Sequence, residues 1–285
     1  MIVLRAQHLG MCFGVRDAIA AAQRVAAPAA VTIYGDIVHN RQVQQDLAVR
    51  GFAVVPEADR NGPPPTPGVL ITAHGISQRD RLRLLGAGKA LTDTTCPLVR
   101  RVHDAARAFQ RRGFFVIVIG KPGHVEVRGI VGDLRAFAVV GAAAEVRAYD
   151  EAVRLGIVCQ STTPPSVAAE VRAAIEALNP DKPIEFADTI CQPTRSRQEA
   201  VEELLERVDA LVVVGGKHSH NTRQLVRLAE RRSVPVCHVE QAHELKPAWF
   251  AGCHVIGLTA GTSTPDDVIE EVERRLVLLG GGGLR

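Results

Sequence analysis

Short apolar runs rich in β-branched residues recur along the chain: Ile2 to Leu4, Val31 to Tyr34, Val69 to Thr72, Phe114 to Ile119, Ile157 to Cys159, Leu211 to Val214 and His254 to Leu258. Runs of this length without polar alternation predict buried strands. Between them apolar residues return at helical intervals, as in Leu98, Val102, Ala105, Phe109, in Val201, Leu204, Leu205, Val208, and in Val268, Val272, Leu276, Leu279. Strand and helix alternate, so the fold class is α/β with mostly parallel sheets. Prolines exclude helix and central strand from the stretch Asn61 to Gly68, which reads as a surface loop of the first lobe. The tail Gly280 to Gly283 offers no residue to a core and is expected to fray.

Composition narrows the picture. A chain of 285 residues suggests two or three packed units, and 46% apolar residues suffice for their cores. No apolar stretch reaches the roughly 18 residues of a membrane span. A formal charge of +3 without a long basic run, and 4% aromatic residues, make nucleic acid an unexpected partner. No export signal opens the sequence, and the six cysteines, at 12, 96, 159, 191, 237 and 253, form no Cys-x-x-Cys pair. A cytoplasmic location with reduced thiols is the expectation.

Three of these cysteines recur in one setting. Cys12, Cys96 and Cys191 each stand at the start of an amphipathic helix, at separations of 84 and 95 residues. That spacing predicts three comparable α/β lobes, 1–95, 96–190 and 191–285, each giving one cysteine. Pro97 puts Cys96 at or beside a helix N-cap, where unpaired N–H groups favour a thiolate. Cys159, Cys237 and Cys253 lie in apolar strand patterns and read as small buried hydrophobes. Three thiolates are one short of a closed zinc site or a fully ligated iron–sulfur cluster, which would leave an open metal position. A Cys₃His zinc site is the alternative.

Ligands of parallel sheets bind beyond the carboxyl ends of strands. The residues there are polar: Val38-His39-Asn40, Ala73-His74-Gly75, Gly120 to Glu126, Gln160-Ser161-Thr162-Thr163, Gly215 to Thr222, and Ala260 to Pro265. Hydroxyls, amides and histidines beside glycines suit a phosphate or diphosphate, although Ser, Thr and Asn also serve as ordinary helix caps. Neither a P-loop nor a Rossmann glycine pattern is present, so nucleotide cofactors are not expected. Glu126 is the only carboxylate in the histidine-bearing loops. It reads either as a proton carrier or as a surface partner of Arg128.

The segments Cys12-Phe13-Gly14-Val15, Val38-His39-Asn40, Ala73-His74-Gly75-Ile76-Ser77, Asp93-Thr94-Thr95-Cys96-Pro97-Leu98-Val99, Gly123-His124-Val125-Glu126, Arg197-Gln198-Glu199-Ala200 and Ser219-His220-Asn221-Thr222 resemble the LytB or IspH family, the 4-hydroxy-3-methylbut-2-enyl diphosphate reductases of the non-mevalonate isoprenoid pathway. The resemblance runs from residue 1 to about 280. It implies a trefoil of three similar α/β lobes around a central 4Fe-4S cluster on Cys12, Cys96 and Cys191, with one iron open. It implies reductive removal of an allylic hydroxyl, giving isopentenyl and dimethylallyl diphosphates, with electrons from ferredoxin or flavodoxin. His39, His74, His124, Ser219, Asn221 and Ser263 would hold the diphosphate, and Glu126, with His124 and Ser161, would serve the proton chemistry.

The chain departs from the family pattern at Val125, where Pro is common, at Ser161, at Gln192-Pro193 after Cys191, and at His218 and His220. These departures keep two alternatives in view: a paralogue reducing or dehydrating another small phosphorylated substrate, and a non-catalytic iron–sulfur sensor of diphosphate.

Overall fold

The computed structural model describes residues 1–38, 40–60 and 62–280. Among them twelve strands, numbered in chain order, form three four-stranded sheets in which every pairing is parallel. In one sheet β2 (Val31–Tyr34) and β4 (Gly68–Ile71) are central, with β3 (Ala53–Val55) beside β2 and β5 (Ala90–Asp93) beside β4. In the next, β6 (Phe115–Ile119) and β8 (Leu155–Cys159) are central, with β7 (Phe137–Val140) beside β6 and β9 (Ile184–Ala187) beside β8. In the last, β10 (Ala210–Val214) and β12 (Val255–Ala260) are central, β11 (Val236–Val239) flanks β10, and the strand beside β12 is β1 (Ile2–Arg5), from the other end of the chain.

Each sheet therefore has the order second, first, third, fourth, and the fourth strand of the C-terminal sheet is the first of the chain. This shifts the division expected from sequence thirds: residues 2–5 lie in the sheet of β10 to β12, paired to Val255 through Leu258. The reason is that every repeat ends in an edge strand followed by a cysteine, and the strand that precedes Cys12 is β1. The helices follow the same rhythm. A helix after each fourth strand gives α1 (Phe13–Gln23), α4 (Pro97–Arg111) and α7 (Gln192–Leu205). Those after the first strands are α2 (Arg41–Val49), α5 (Val125–Val131) and α8 (His220–Arg231), and those after the third are α3 (Gln78–Gly86), α6 (Pro165–Leu178) and α9 (Asp266–Leu279). No described helix is long and apolar enough to cross a membrane.

The chain separates into two compact units. One joins Met1–Val15 to the chain from Gln192 onward and holds the sheet of β1, β10, β11 and β12; the other covers Arg16–Val38 and Gln42–Cys191 and holds the other two sheets. In the first unit, alternate residues of β10 face opposite layers. Val212 and Val214 pack with Ile269, Val272 and Leu276 of α9, whereas Leu211 and Val213 pack with Val201 and Leu204 of α7 and Leu225 of α8. Covering both faces is what makes a central strand apolar at every position. In the second unit Ile117, Ile119 and Ile157 meet Val171 and Ile175 of α6 on one face, and Val116, Val118 and Val158 meet Val102 and Phe109 of α4 on the other.

The seating of α4 depends on a glycine. A Cβ on Gly156 of β8 would lie 2.6 Å from Cγ of Phe109, with both Cδ atoms at 2.9 Å. Gly156→Ala is expected to cost about 1–3 kcal/mol through overpacking, read as a lower urea midpoint at unchanged m-value.

Candidate functional site

The threefold repeat extends from strands to the backbone beyond them. The first residue past each first strand is a glycine whose N–H reaches the last carbonyl of the second strand: Gly35 to Val55 at 2.8 Å, Gly120 to Val140 and Gly215 to Val239 at 2.9 Å. Past each third strand the chain makes a tight turn, Gly75 N–H to Thr72, Thr163 to Gln160 and Thr264 to Gly261, at 3.0 to 3.1 Å. Inside each turn, the carbonyl of the second residue past the strand takes a bond from a cysteine. Cys96 donates to Ala73 at 3.0 Å, Cys191 to Ser161 at 2.9 Å and Cys12 to Thr262 at 3.2 Å.

One local frame thus recurs at three cysteines. Cys96 is the N-cap of α4 with Pro97 as the first helical residue, Cys12 directly precedes α1, and Cys191 directly precedes α7. None of the three is in a disulfide, and all are partly exposed. Cys159 is buried, as expected of a core residue, while Cys237 and Cys253 are partly buried against the core. Burial pushes the Cys237 thiol up, away from reactivity. Among the described residues, no group of three His, Cys, Asp or Glu side chains stands assembled to hold a metal ion.

Within the second unit, the loops after β4, β6 and β8 bring four of the expected residues into contact. His124 caps α5, its Nδ1 accepting the Glu126 N–H at 3.1 Å. The His74 and His124 rings meet edge to face, 5.8 Å apart. Glu126 is 1% exposed, and its two carboxylate oxygens accept the Ser161 N–H at 2.7 Å and the Ser161 hydroxyl at 2.9 Å. It is not the surface carboxylate of the alternative reading. Ser161 therefore ties the buried acid to Cys191 through its own carbonyl. Gln160 locks the neighbouring turn, accepting the Lys121 N–H at 3.0 Å.

In the first unit, Ser219 caps α8 by accepting the Thr222 N–H, at the position His124 has in α5. Asn221 is buried; its Oδ1 accepts the Thr262 N–H at 3.0 Å, while its Nδ2 has no protein partner. Ser263 is buried in the adjoining turn. An unsatisfied buried amide donor beside hydroxyls is the kind of group a ligand oxygen would complete. His39 lies outside the described residues.

The repeat also exposes residues that reading the sequence passed over. Three residues past the third strand stand His74, Thr162 and Ser263, so Thr162 occupies the place of two expected ligand contacts. Only register across the three sheets reveals this. Arg197 is buried and donates to the carbonyls of Gly10 and Pro193, bracing the segment that leads to Cys12. His103 of α4 is buried, its ring within 3.2 Å of where a Cβ on Gly129 would stand and 3.6 Å of one on Gly75. It wedges between α5 and the turn bearing His74, a structural role in keeping with its lack of a polar loop setting.

Known proteins resemble the chain along nearly its whole length. The family described as LytB protein matches residues 3–277. The 4-hydroxy-3-methylbut-2-enyl diphosphate reductase of Aquifex aeolicus is 36% identical over 281 residues, covering 96% of this chain and 95% of the relative. That of Thermoanaerobacter sp. strain X514 is 34% identical over 286 residues, covering 99% and 98%. Among solved structures, the reductase from Plasmodium falciparum superposes with a TM-score of 0.87 at 25% identity, over 97% of this chain and 88% of the other. A second, (E)-4-hydroxy-3-methyl-but-2-enyl diphosphate reductase, the terminal enzyme of the non-mevalonate pathway, is 35% identical at a TM-score of 0.67, over 97% and 99%.

The burial of His103 has a consequence for stability. Burial first, and Arg107 second, push its imidazole down to about 4, against the opposing pull of Asp133 and Asp104. The unfolded ring binds its proton near pH 6.5. Stability is thus fully present above that value and drains as pH falls toward 4, by on the order of 3 kcal/mol. His103→Gln is expected to flatten this part of the pH profile in urea unfolding. An unchanged slope would refute the assignment.

Proposed function

We propose, from the premise that this chain belongs to the LytB family, that Cys12, Cys96 and Cys191 hold a 4Fe-4S cluster and that Glu126 governs proton delivery beside it. The chain is a reductase of 4-hydroxy-3-methylbut-2-enyl diphosphate, acting in the non-mevalonate pathway. In the proposed chemistry the allylic C–O bond breaks, a C–H bond forms, and two electrons and two protons turn the hydroxyl into water, leaving isopentenyl and dimethylallyl diphosphates. Ferredoxin or flavodoxin is the proposed electron donor.

The donor set suits the cluster. Three partly exposed cysteines outside any disulfide share one backbone frame at helix starts, and soft sulfur ligands select iron–sulfur centres. When bound, the cluster would supply electrons and, at the iron without a cysteine, a Lewis acid for the substrate's oxygen. The remaining chemistry falls to the side chains. His39, His74, His124, Ser219, Asn221 and Ser263 are proposed to fix the diphosphate, and the orphaned Asn221 Nδ2 supports this. Anchoring the charged head leaves the hydroxyl end to be oriented rather than captured, which is where positioning lowers a barrier.

The observation that carries the reading is the Glu126 carboxylate, buried and held by both donors of Ser161, whose carbonyl in turn holds Cys191. A pure binder gains nothing from a buried acid placed so. A proton carrier needs one that is fixed, enclosed and close to the reacting oxygen.

Glu126→Gln is expected to lower kcat by about 100-fold or more in an assay with reduced dye and the diphosphate, with the visible absorption of the cluster retained. Unchanged turnover would remove Glu126 from the proton route, and a cluster-loaded wild type without turnover would favour the paralogue. Separately, anaerobic iron and sulfide quantitation should fall sharply in Cys12→Ser, Cys96→Ser and Cys191→Ser but not in Cys237→Ser. Zinc in place of iron in the wild type would overturn the cluster assignment.

A further inference from the structure

Within the unit that holds β2 to β9 there is a cavity of about 420 Å³, lined by neither cysteines nor histidines. Three arginines line it, Arg60, Arg79 and Arg128, against a single acidic residue, Asp80. That carboxylate is already engaged: it accepts the Ser77 hydroxyl at 2.8 Å and pairs with Arg83 at 3.1 Å. Arg128 spends one nitrogen on the Glu57 carbonyl at 3.0 Å. The site is thus cationic toward whatever enters it.

Arg60 is the most constrained of the three. Its guanidinium lies over the Tyr34 ring, 5.2 Å from the centroid, and so close to Gly35 that a Cβ there would stand 1.7 Å from Nη2. Its Nε and Nη2 are buried and have no hydrogen-bond partner. Burial pulls its pKa down, with Glu57 the strongest opposing charge. Those two nitrogens are packed against protein, so Arg60 gives the cavity wall positive charge, and the donors within reach of an occupant are those of the exposed Arg79 and Arg128, whose forks suit an oxyanion. The rest of the lining is apolar: Val131 and Leu134 form wall, and Phe137, 38% exposed, stands at the edge.

We propose that this cavity binds a small phosphorylated molecule with a short apolar body, as a site separate from the residues assigned above to the reacting diphosphate. The phosphate oxygens sit among the three arginines, and the body lies on Val131, Leu134 and Phe137. The lining also includes Gly75 and Val125, the chain neighbours of His74 and His124. An occupant therefore touches both segments that carry those histidines, which gives it a physical handle on the reacting site.

The test is calorimetric titration of the full chain, with isopentenyl diphosphate and, separately, with inorganic diphosphate as probes. Wild type is expected to show two sites for isopentenyl diphosphate. Arg79 and Arg128 are exposed, so R79A/R128A should fold normally and weaken one site by about tenfold or more while sparing the other. Asn221→Ala should do the reverse. Inorganic diphosphate is expected to bind the arginine site about tenfold more weakly, the worth of one to two buried methylenes. Equal affinity of the two probes there would overturn the apolar body. A single site in wild type, or two undiminished sites in R79A/R128A, would overturn the proposal. Loss of a site in R79A/R128A with no effect of Asn221→Ala would instead count against the diphosphate residues proposed earlier and leave this site standing.

Discussion

Three backbone hydrogen bonds, from the N–H groups of Cys12, Cys96 and Cys191 to the turns after β12, β4 and β8, set the terms for the rest of the molecule. Each joins the segment after the edge strand to the turn after the strand beside it, just beyond the point where the sheet ladder ends. Backbone donors cannot be left unpaired in such a place without a cost comparable to a lost hydrogen bond. The cysteine is therefore fixed in position before its sulfur has any role. Because the acceptor is a carbonyl, the residue that supplies it is free to vary, and it does: Ala73, Ser161 and Thr262 occupy equivalent positions. That freedom lets one frame carry an inert residue in one lobe and, in another, the serine that clasps Glu126.

How far the sequence discloses this follows from which faces are covered. All six central strands are apolar runs, because helices bury them from both sides, and they are legible. The edge strands β3, β5, β7, β9 and β11 are not. Their patterns alternate with exposed or half-exposed positions over three or four residues, and Ala53-Val54-Val55 or Ala90 to Asp93 cannot be told from loop by periodicity. Residues Ile2 to Leu4 read correctly as a strand, yet their partner, β12, lies some 250 residues away, and pairing at that separation leaves no local trace. The site is legible in its chemical types but not in its bonds. Nothing near Glu126 in sequence says that Ser161 will bury it, whereas Arg128, two residues on, offers an ordinary surface partner. Thr162 was invisible for another reason: a threonine after a strand is a common cap, and only superposing the three repeats makes it the counterpart of His74 and Ser263.

The same repeat explains how different residues share one task. His124 and Ser219 each follow the glycine beyond a first strand by four residues and each accepts an N–H of the helix it opens. A cap satisfies one of the orphan donors of a helix start and leaves the remaining N–H groups turned outward. Swapping imidazole for hydroxyl preserves that function while changing what else the side chain offers, a ring with a second nitrogen in one lobe and a small hydroxyl in another. A repeated backbone frame can thus present unlike side chains at equivalent helix starts without a separate fold for each.

The departures from the family pattern support this view of what is fixed and what is free. Where Pro is common, Val125 opens α5; the proline's contribution there would be a preset φ at the first helical position. In its place the helix start has the His124 cap at 3.1 Å and a valine side chain buried to 4% exposure, so Glu126 is still delivered to Ser161. His218 is exposed and His220 turns to Gln224 at 3.3 Å, while the cap between them remains Ser219. After Cys191, Pro193 presents its carbonyl to Arg197, which uses its other nitrogen on Gly10. At Val125, His218, His220 and Pro193 the bonds that hold the local frame are made by backbone or cap atoms, whereas at Ser161 the varied side chain itself keeps a hydroxyl on Glu126. The three cysteines are held instead by bonds from their own backbone N–H to main-chain carbonyls, which do not depend on the side chains that supply those carbonyls.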